Sequence, residues 1–124
     1  MSHIISGNYN IFPYTEFLLP YVDILITDYS GMYSDFQLLN RPMIFIPYDL
    51  EEYSTYTGVT VNYDKFTAGP CVSSQKEFIA ALSGYLHDSK KDESLRLKIM
   101  DFFHDYQDGK ACERIQAELD KLIG

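Results

Sequence analysis

The sequence predicts an α/β fold, and three observations carry that prediction. Ile24, Leu25 and Ile26 form a continuous apolar run too short for a helix, and Met43, Ile44, Phe45 and Ile46 form a second. Between them Met32, Phe36 and Leu39 recur at helical spacing, with Tyr29 and Tyr33 alongside. Continuous rather than alternating apolar strands are expected where helices cover both faces of a parallel sheet, so strand, helix and strand make a βαβ unit over residues 23–46. Such crossovers are right-handed and place ligands at the carboxyl ends of the strands, here residues 27–31 and 47–49.

The elements follow in order. Ile4 and Ile5, before the turn-like Ser6-Gly7-Asn8, read as a clipped strand. Tyr14, Phe17 and Tyr21 give residues 13–19 one apolar side, so a short helix is expected there, with Pro13 early and Pro20 ending it. Ser30 is the expected N-cap of the crossover helix, and Asn40-Arg41-Pro42 stops that helix. Asp49, Glu51 and Glu52 supply the acidic first turn of a short helix ended by Gly58. Residues 60–63 suit a small strand and residues 67–70 a turn. Ser73 or Ser74 caps the next helix, with Glu77 as the capping-box acid for Ser74 and Phe78, Leu82, Tyr85 and Leu86 on the apolar face. A helix over residues 90–106 should turn Leu95, Ile99, Phe102, Phe103 and Tyr106 inward and end at Gly109. A last helix should do the same with Cys112, Ile115, Leu119 and Leu122. The whole is one α/β domain, residues 1–124, with a helical C-terminal tail.

Composition narrows the function. A chain of 124 residues, 46% of them hydrophobic, suits one folded domain with a core. It has no apolar run of membrane-spanning length and no signal-peptide pattern, which places it in the cytoplasm. Cys71 and Cys112 stand far apart with no CxxC and no histidine at ligand spacing, so buried free thiols are expected, with no metal site and no cofactor. Net charge is −8, and the first 75 residues hold eight acidic side chains against Arg41 and Lys65 alone. A nucleic-acid groove needs a basic surface to displace counterions, so nucleic acid is not an expected partner.

The turn between the first strand and the crossover helix admits two readings. It is an ordinary capped turn, or its unpaired amides at Ser30 and Gly31 receive an anion, phosphate above all. With Arg41 the sole nearby cation of the first half, a phosphate there would rest on amides alone or on cations from other protein. Nothing else reads as catalytic. His3 sits near the chain start, Glu51 and Glu52 suit the helix dipole, and His87 and His104 read as surface or helix-end residues.

Several separated motifs in order then carry a resemblance: Asp23-Ile24-Leu25-Ile26-Thr27-Asp28-Tyr29-Ser30, Asp35-Phe36, Leu38-Leu39-Asn40-Arg41-Pro42, Tyr48-Asp49-Leu50-Glu51-Glu52-Tyr53, Gly69-Pro70, Asp108-Gly109-Lys110-Ala111 and Glu113-Arg114. Together they resemble the C-terminal part of the CDP-glycerol glycerophosphotransferase family, which builds teichoic acid and related capsule polymers in bacteria. The resemblance implies a GT-B architecture of two Rossmann-like domains. This chain would be the second half of the C-terminal, donor-binding domain, a partial parallel sheet.

The implied donor is CDP-glycerol or CDP-ribitol, with contacts at Ser30, Gly31 and Asp35 and with Thr27 at the strand end. Ser30 would give hydroxyl and amide to the diphosphate and Gly31 its amide. Asp35, which would repel phosphate, suits a polyol or ribose hydroxyl. The family usually has a second serine where this chain has Gly31, so one hydroxyl contact is missing. The implied reaction moves a polyol phosphate to a polymer hydroxyl and releases CMP. The family's essential histidines, one in an Arg-x-His-Pro motif, lie in parts N-terminal to this stretch, so the chain alone is expected to be inactive. The acceptor polymer would meet the missing domain, at the cytoplasmic face of the membrane in the full enzyme. A sheet cut partway would also expose an edge near Ile4 and Ile5 that pairs with another copy or with the rest of a parent enzyme. The competing readings are a stand-alone nucleotide-binding or docking module and a part of another GT-B glycosyltransferase or epimerase.

Overall fold

Leu25–Thr27 (β1) and Met43–Phe45 (β2) pair in parallel in the computed structural model, which describes residues 3–8, 10–49, 52, 55 and 63–124. Their register sets Leu25 against Met43, Ile26 against Ile44 and Thr27 against Phe45. The crossover is α1, Met32–Gln37, which is shorter than its apolar pattern: the chain leaves it through turns and reaches Asn40 at a left-handed φ of 49°. The segment after Pro70 then lies alongside β2, with Phe45 N–H donating to Pro70 O and Val72 N–H donating to Phe45 O. It adds one parallel bridge at Cys71, beyond the two named strands.

Alternate strand residues face two different layers. Leu25, Met43 and Phe45 pack with Tyr33 and Phe36 of α1, Ile99 of α4 (Glu93–Phe103), and Leu19 of a 3-10 helix, Thr15–Tyr21. On the opposite face Ile44 packs with Val72 and Tyr85, joined by Ile24, Ile46, Phe78, Ala81 and Leu82. The helix on that side is α3, Gln75–His87; a single turn, α2 (Tyr63–Phe66), precedes it. All three residues of β2 are fully buried, as a strand between two helical layers requires. β1 departs from this, because Ile26 is 45% exposed. Ile4, Ile5, Phe17 and Tyr21 are exposed as well.

Several expectations are corrected. The early helix is 3-10 and contains Pro20, which needs no N–H donor where the turn already lacks a full α ladder. Glu77 does reach back from α3, but its carboxylate takes Ser73 N–H and Ser73 Oγ–H; the Ser74 hydroxyl accepts from Glu77 N–H as the capping rule requires. Tyr63 opens a helical turn rather than closing a strand. Of the helix expected after Asp49, Glu52 and Thr55 are described and are helical; its other residues, like the rest of the 60–63 strand, lie outside the described residues.

The C-terminal helices are shorter and less buried than their stripes imply. In α4 the buried residues are Arg96, Ile99 and Met100, whereas Leu95, Phe102 and Tyr106 are exposed. Leu86 of α3 is exposed as well. None of the residues of α5, Ala111–Ile123, is buried, so Ile115, Leu119 and Leu122 form an apolar stripe with no cover among the described residues. Cys71 and Cys112, expected to be buried, are exposed and form no disulfide among the described residues. Both ride on segments whose outer side the described residues leave open. Gln37 is an opposite case: it is buried, yet neither polar atom of its side-chain amide has a hydrogen-bond partner among the described residues.

Gly109, at φ 69°, does not end α4 but shapes the link into α5. There Asp108 receives a two-pronged ion pair from Arg114, at 3.0 Å for each prong, and the Lys110 N–H. The Arg114 head also lies 3.9 Å from the Tyr106 ring centre. The Arg114 hydrogen bonds, with the Lys110 amide, hold the Asp108 carboxyl down to about 2. Because the folded value lies below the ordinary one, the contribution is fully present above the unfolded carboxylate range and is lost as pH falls through about 2. Wild-type acid unfolding should therefore be steeper below the unfolded carboxylate range than that of Asp108→Asn. Superimposable acid limbs in circular dichroism would refute this link.

Candidate functional site

The sheet's carboxyl end carries the candidate site. β1 runs out at Thr27, whose carbonyl accepts from Ile46 N–H at 2.8 Å, so both chains leave the sheet side by side. Adjacent parallel strands stand about 4.8 Å apart, and the turn after β1 therefore faces the loop after β2 across a narrow crevice.

The turn is not built as a serine-capped helix. Asp28 Oδ1 accepts the Ser30 N–H at 2.7 Å, an Asx turn that fixes the backbone before α1 begins. Gly31 stands at the N-cap position with no side-chain cap, and Ser30 keeps an exposed hydroxyl. The expected Ser30 side-chain cap is not made: Gly31 takes the N-cap position, Tyr33 N–H donates to Ser30 O at 3.3 Å, and the group that Asp28 engages is the Ser30 N–H, which a Ser30 cap would not use. Gly31 has φ −58° and ψ −15°, ordinary helical values, and a Cβ there would meet nothing within 4 Å among the described residues. The conformation does not demand glycine, and the space beside the turn is open. Ser34 closes the first turn by donating Oγ–H to Gly31 O at 2.7 Å.

Thr27, Ser30 and Gly31 are thus brought together in one turn. Asp35 lies one helical turn further on, exposed on α1. Arg41 is not with them. Its Nη1 donates to Pro20 O at 2.7 Å and Val22 O at 2.8 Å, both ahead of β1, so the head lies at the amino end of the strand. The nearby cation expected from sequence is held at the wrong end of the sheet.

Across the crevice, the Tyr29 hydroxyl donates a very short hydrogen bond to Asp49 Oδ1. That bond holds the Tyr29 phenol above its ordinary range. The two residues fall in separate sequence motifs that residue types alone do not join; their placement on either side of one βαβ unit is the available signal. Between the loop after β2 and the segment after Pro70 a hollow of about 290 Å³ opens, lined by Ile46, Pro47, Tyr48, Cys71, Val72 and Ser73.

α1 is pinned from behind at both ends. His104, closing α4, bonds through Nε2 to Ser34 O at 2.7 Å, and Arg96 Nε donates to Asn40 Oδ1 at 3.2 Å. Residue 34 thus meets 104 and residue 40 meets 96, so the helices run in opposite directions. His104 is a helix-end residue as expected, but with a positioning contact. No group of His, Cys, Asp and Glu side chains among the described residues is arranged to hold a metal ion. Nor is any described helix long and apolar enough to cross a membrane.

A parallel strand–helix–strand layer, covered by helices on both faces and with a polar turn across its carboxyl end, is Rossmann-like. The chain belongs to the CDP-Glycerol:Poly(glycerophosphate) glycerophosphotransferase family, whose sequence signature matches residues 9–120. It is 34% identical over 98 residues to the teichoic acid poly(ribitol-phosphate) polymerase of Bacillus spizizenii, a match covering 79% of this chain and 15% of that protein. With the teichoic acid glycerol-phosphate primase of Bacillus subtilis it shares 31% identity over 118 residues, 94% of this chain and 28% of the relative. The solved structure of the wall teichoic acid polymerase TagF superimposes with a TM-score of 0.58 at 30% identity, covering 86% of this chain and 26% of that one. The fold is accordingly the α/β fold of a GT-B-type transferase, and the family is one of teichoic acid biosynthesis. The chain spans 15% to 33% of the length of the curated relatives it matches.

Proposed function

We propose that this chain is the CDP-polyol-binding part of a polyol-phosphate transferase of teichoic acid or capsule polymer synthesis, and that it does not turn over donor alone. The observation that carries the reading is the Thr27–Gly31 turn at the carboxyl ends of two parallel strands, in a chain of this family. The diphosphate would lie against the Ser30 hydroxyl and the Gly31 amide. The Ser30 amide, already bonded to Asp28, holds the turn instead. Asp35 would take a hydroxyl of the polyol or ribose.

In the complete reaction an acceptor hydroxyl attacks the phosphorus that bears the polyol, its proton passes to a base, and the bond to CMP breaks. Charge neutralisation at phosphorus is the dominant need in such transfers. Arg41 is held elsewhere, so cations and base would come from protein outside this segment. Working beside the acceptor polymer would place the complete enzyme at the cytoplasmic face of the membrane.

An NMR titration with CDP-glycerol and CDP-ribitol tests the reading. Amide shifts are expected at Ser30 and Gly31, with Ser30→Ala weakening the better donor by roughly tenfold or less, the worth of one hydrogen bond. Gly31→Ser, for which the turn has room, should tighten it and leave stability within about 0.5 kcal/mol. A turn untouched by either donor would end the proposal. Release of CMP above that of a Ser30→Ala, Asp35→Ala double variant would end the claim of inactivity.

A further inference from the structure

We infer that α1 has two seatings, and that two polar pins hold it in the one seen here, turned away from its own apolar stripe. Three observations lead there.

The stripe and the buried face of α1 do not coincide. By sequence the apolar side is Met32, Phe36 and Leu39, with Tyr29 and Tyr33 alongside. The buried residues of α1 are instead Tyr33, Phe36 and Gln37, while Met32 and Leu39 are only half-buried. At about 100° per residue, the middle of the buried face lies roughly 60° from the middle of the stripe, toward Gln37.

Gln37 bears the consequence. It is 1% exposed, and neither polar atom of its side-chain amide has a hydrogen-bond partner among the described residues. In equilibrium terms an amide left bare costs about five- to 150-fold. Turning α1 back by the same angle moves Met32 and Leu39 inward and carries Gln37 to the bearing that half-buried Ser34 has now. There water can reach the amide.

The pins account for the seating that is seen. His104 Nε2 bonds to Ser34 O at 2.7 Å and Arg96 Nε donates to Asn40 Oδ1 at 3.2 Å, with Gln37 midway between residues 34 and 40. Both anchors stand on α4, so both draw α1 toward that helix and turn Gln37 inward with it. The Arg96 bond, made by a charged donor, returns about ten- to 150-fold, the size of the amide's cost and opposite in sign. Two seatings so balanced are both populated. The seating reaches the candidate site as well, because Ser34 Oγ–H holds Gly31 O at 2.7 Å and ties the Thr27–Gly31 turn to the helix. Whatever that turn binds, its orientation follows α1.

Relaxation-dispersion NMR on the whole chain tests this. In wild type the amides of residues 30–37 should exchange with a minor state at about 1–10%, and those of α3, across the sheet, should not. His104→Ala frees one end of α1 and should raise the minor population several-fold. Gln37→Leu takes the bare amide out of the seating seen here, and Met32→Gln removes the apolar gain of the other, so each should quench the exchange. Flat profiles in both wild type and His104→Ala overturn the inference; they are the result expected if an internal water serves the Gln37 amide. Exchange that survives in either Gln37→Leu or Met32→Gln overturns it too, because the motion would then have another cause.

Discussion

Gly69→Ala is expected to lower stability by at least about 3 kcal/mol, a loss read as a fall of about 1–3 M in the urea midpoint. A Cβ at Gly69 would sit 2.1 Å from Met43 O and 3.1 Å from Met43 C. Both are backbone atoms of fully buried β2, so neither can yield as a flexible side chain would. The third near atom, Tyr85 Oη at 3.2 Å, is fixed too: burial and the Asp92 carboxylate, which accepts from it at 2.8 Å, hold that phenol in place and push its proton affinity up. Relief requires moving the 69–72 segment off β2, which breaks the Phe45 and Val72 hydrogen bonds together. Domains of this size hold only about 5–15 kcal/mol in all, so the variant should lose much of its margin. Amide exchange at Val72 should accelerate with it. A midpoint unchanged to within about 0.5 kcal/mol would show that the segment is not seated this closely.

Sequence alone exposes the centre of this fold and not its rim. The apolar runs at Ile24 and Met43 and the Phe36 stripe are legible because covered parallel strands and an amphipathic crossover leave a dense pattern. The close pass at Gly69 leaves one glycine beside a proline, which reads equally well as a turn. At the site, Ser30 reads as a cap because serine commonly is one; that the helix takes Gly31 as its N-cap, one residue later, depends on backbone geometry that residue types do not reveal. Arg41 was counted by charge, although its position is decided by two carbonyls distant in sequence. Leu119 and Leu122 form a good inward stripe on paper, but a stripe states what a helix can cover, not whether a partner is present.

Arg96→Ala should cost about 3 kcal/mol and weaken donor binding from a distance. Arg96 is 2% exposed on α4, and its head is met by acceptors without a direct carboxylate. Nε donates to Asn40 Oδ1, Nη1 to Lys91 O at 2.5 Å and Nη2 to Ser89 O at 3.1 Å. Burying a guanidinium is costly, and its removal returns part of that cost. Against this, three acceptors lose charged donors, each worth about 1.5–3 kcal/mol, and the buried stem is lost as well. Lys91 and Ser89 are exposed and recover water, so the sum is trimmed to about one strong contact plus the stem. The consequence for the site runs through Asn40, which also donates to Glu93 and ends the turn after α1 at a left-handed φ. Without Arg96, α1 keeps its His104 pin and loses the other, so Asp35 and the Ser30 turn are less firmly held. Arg96→Lys separates charge from geometry: an ammonium can reach one carbonyl but cannot fork to three acceptors, so it should recover well under half of the lost stability. Urea midpoints and donor titrations of both variants decide the matter. Full rescue by lysine, or an alanine variant within about 1 kcal/mol of wild type, would show that the head only fills space between α1 and α4.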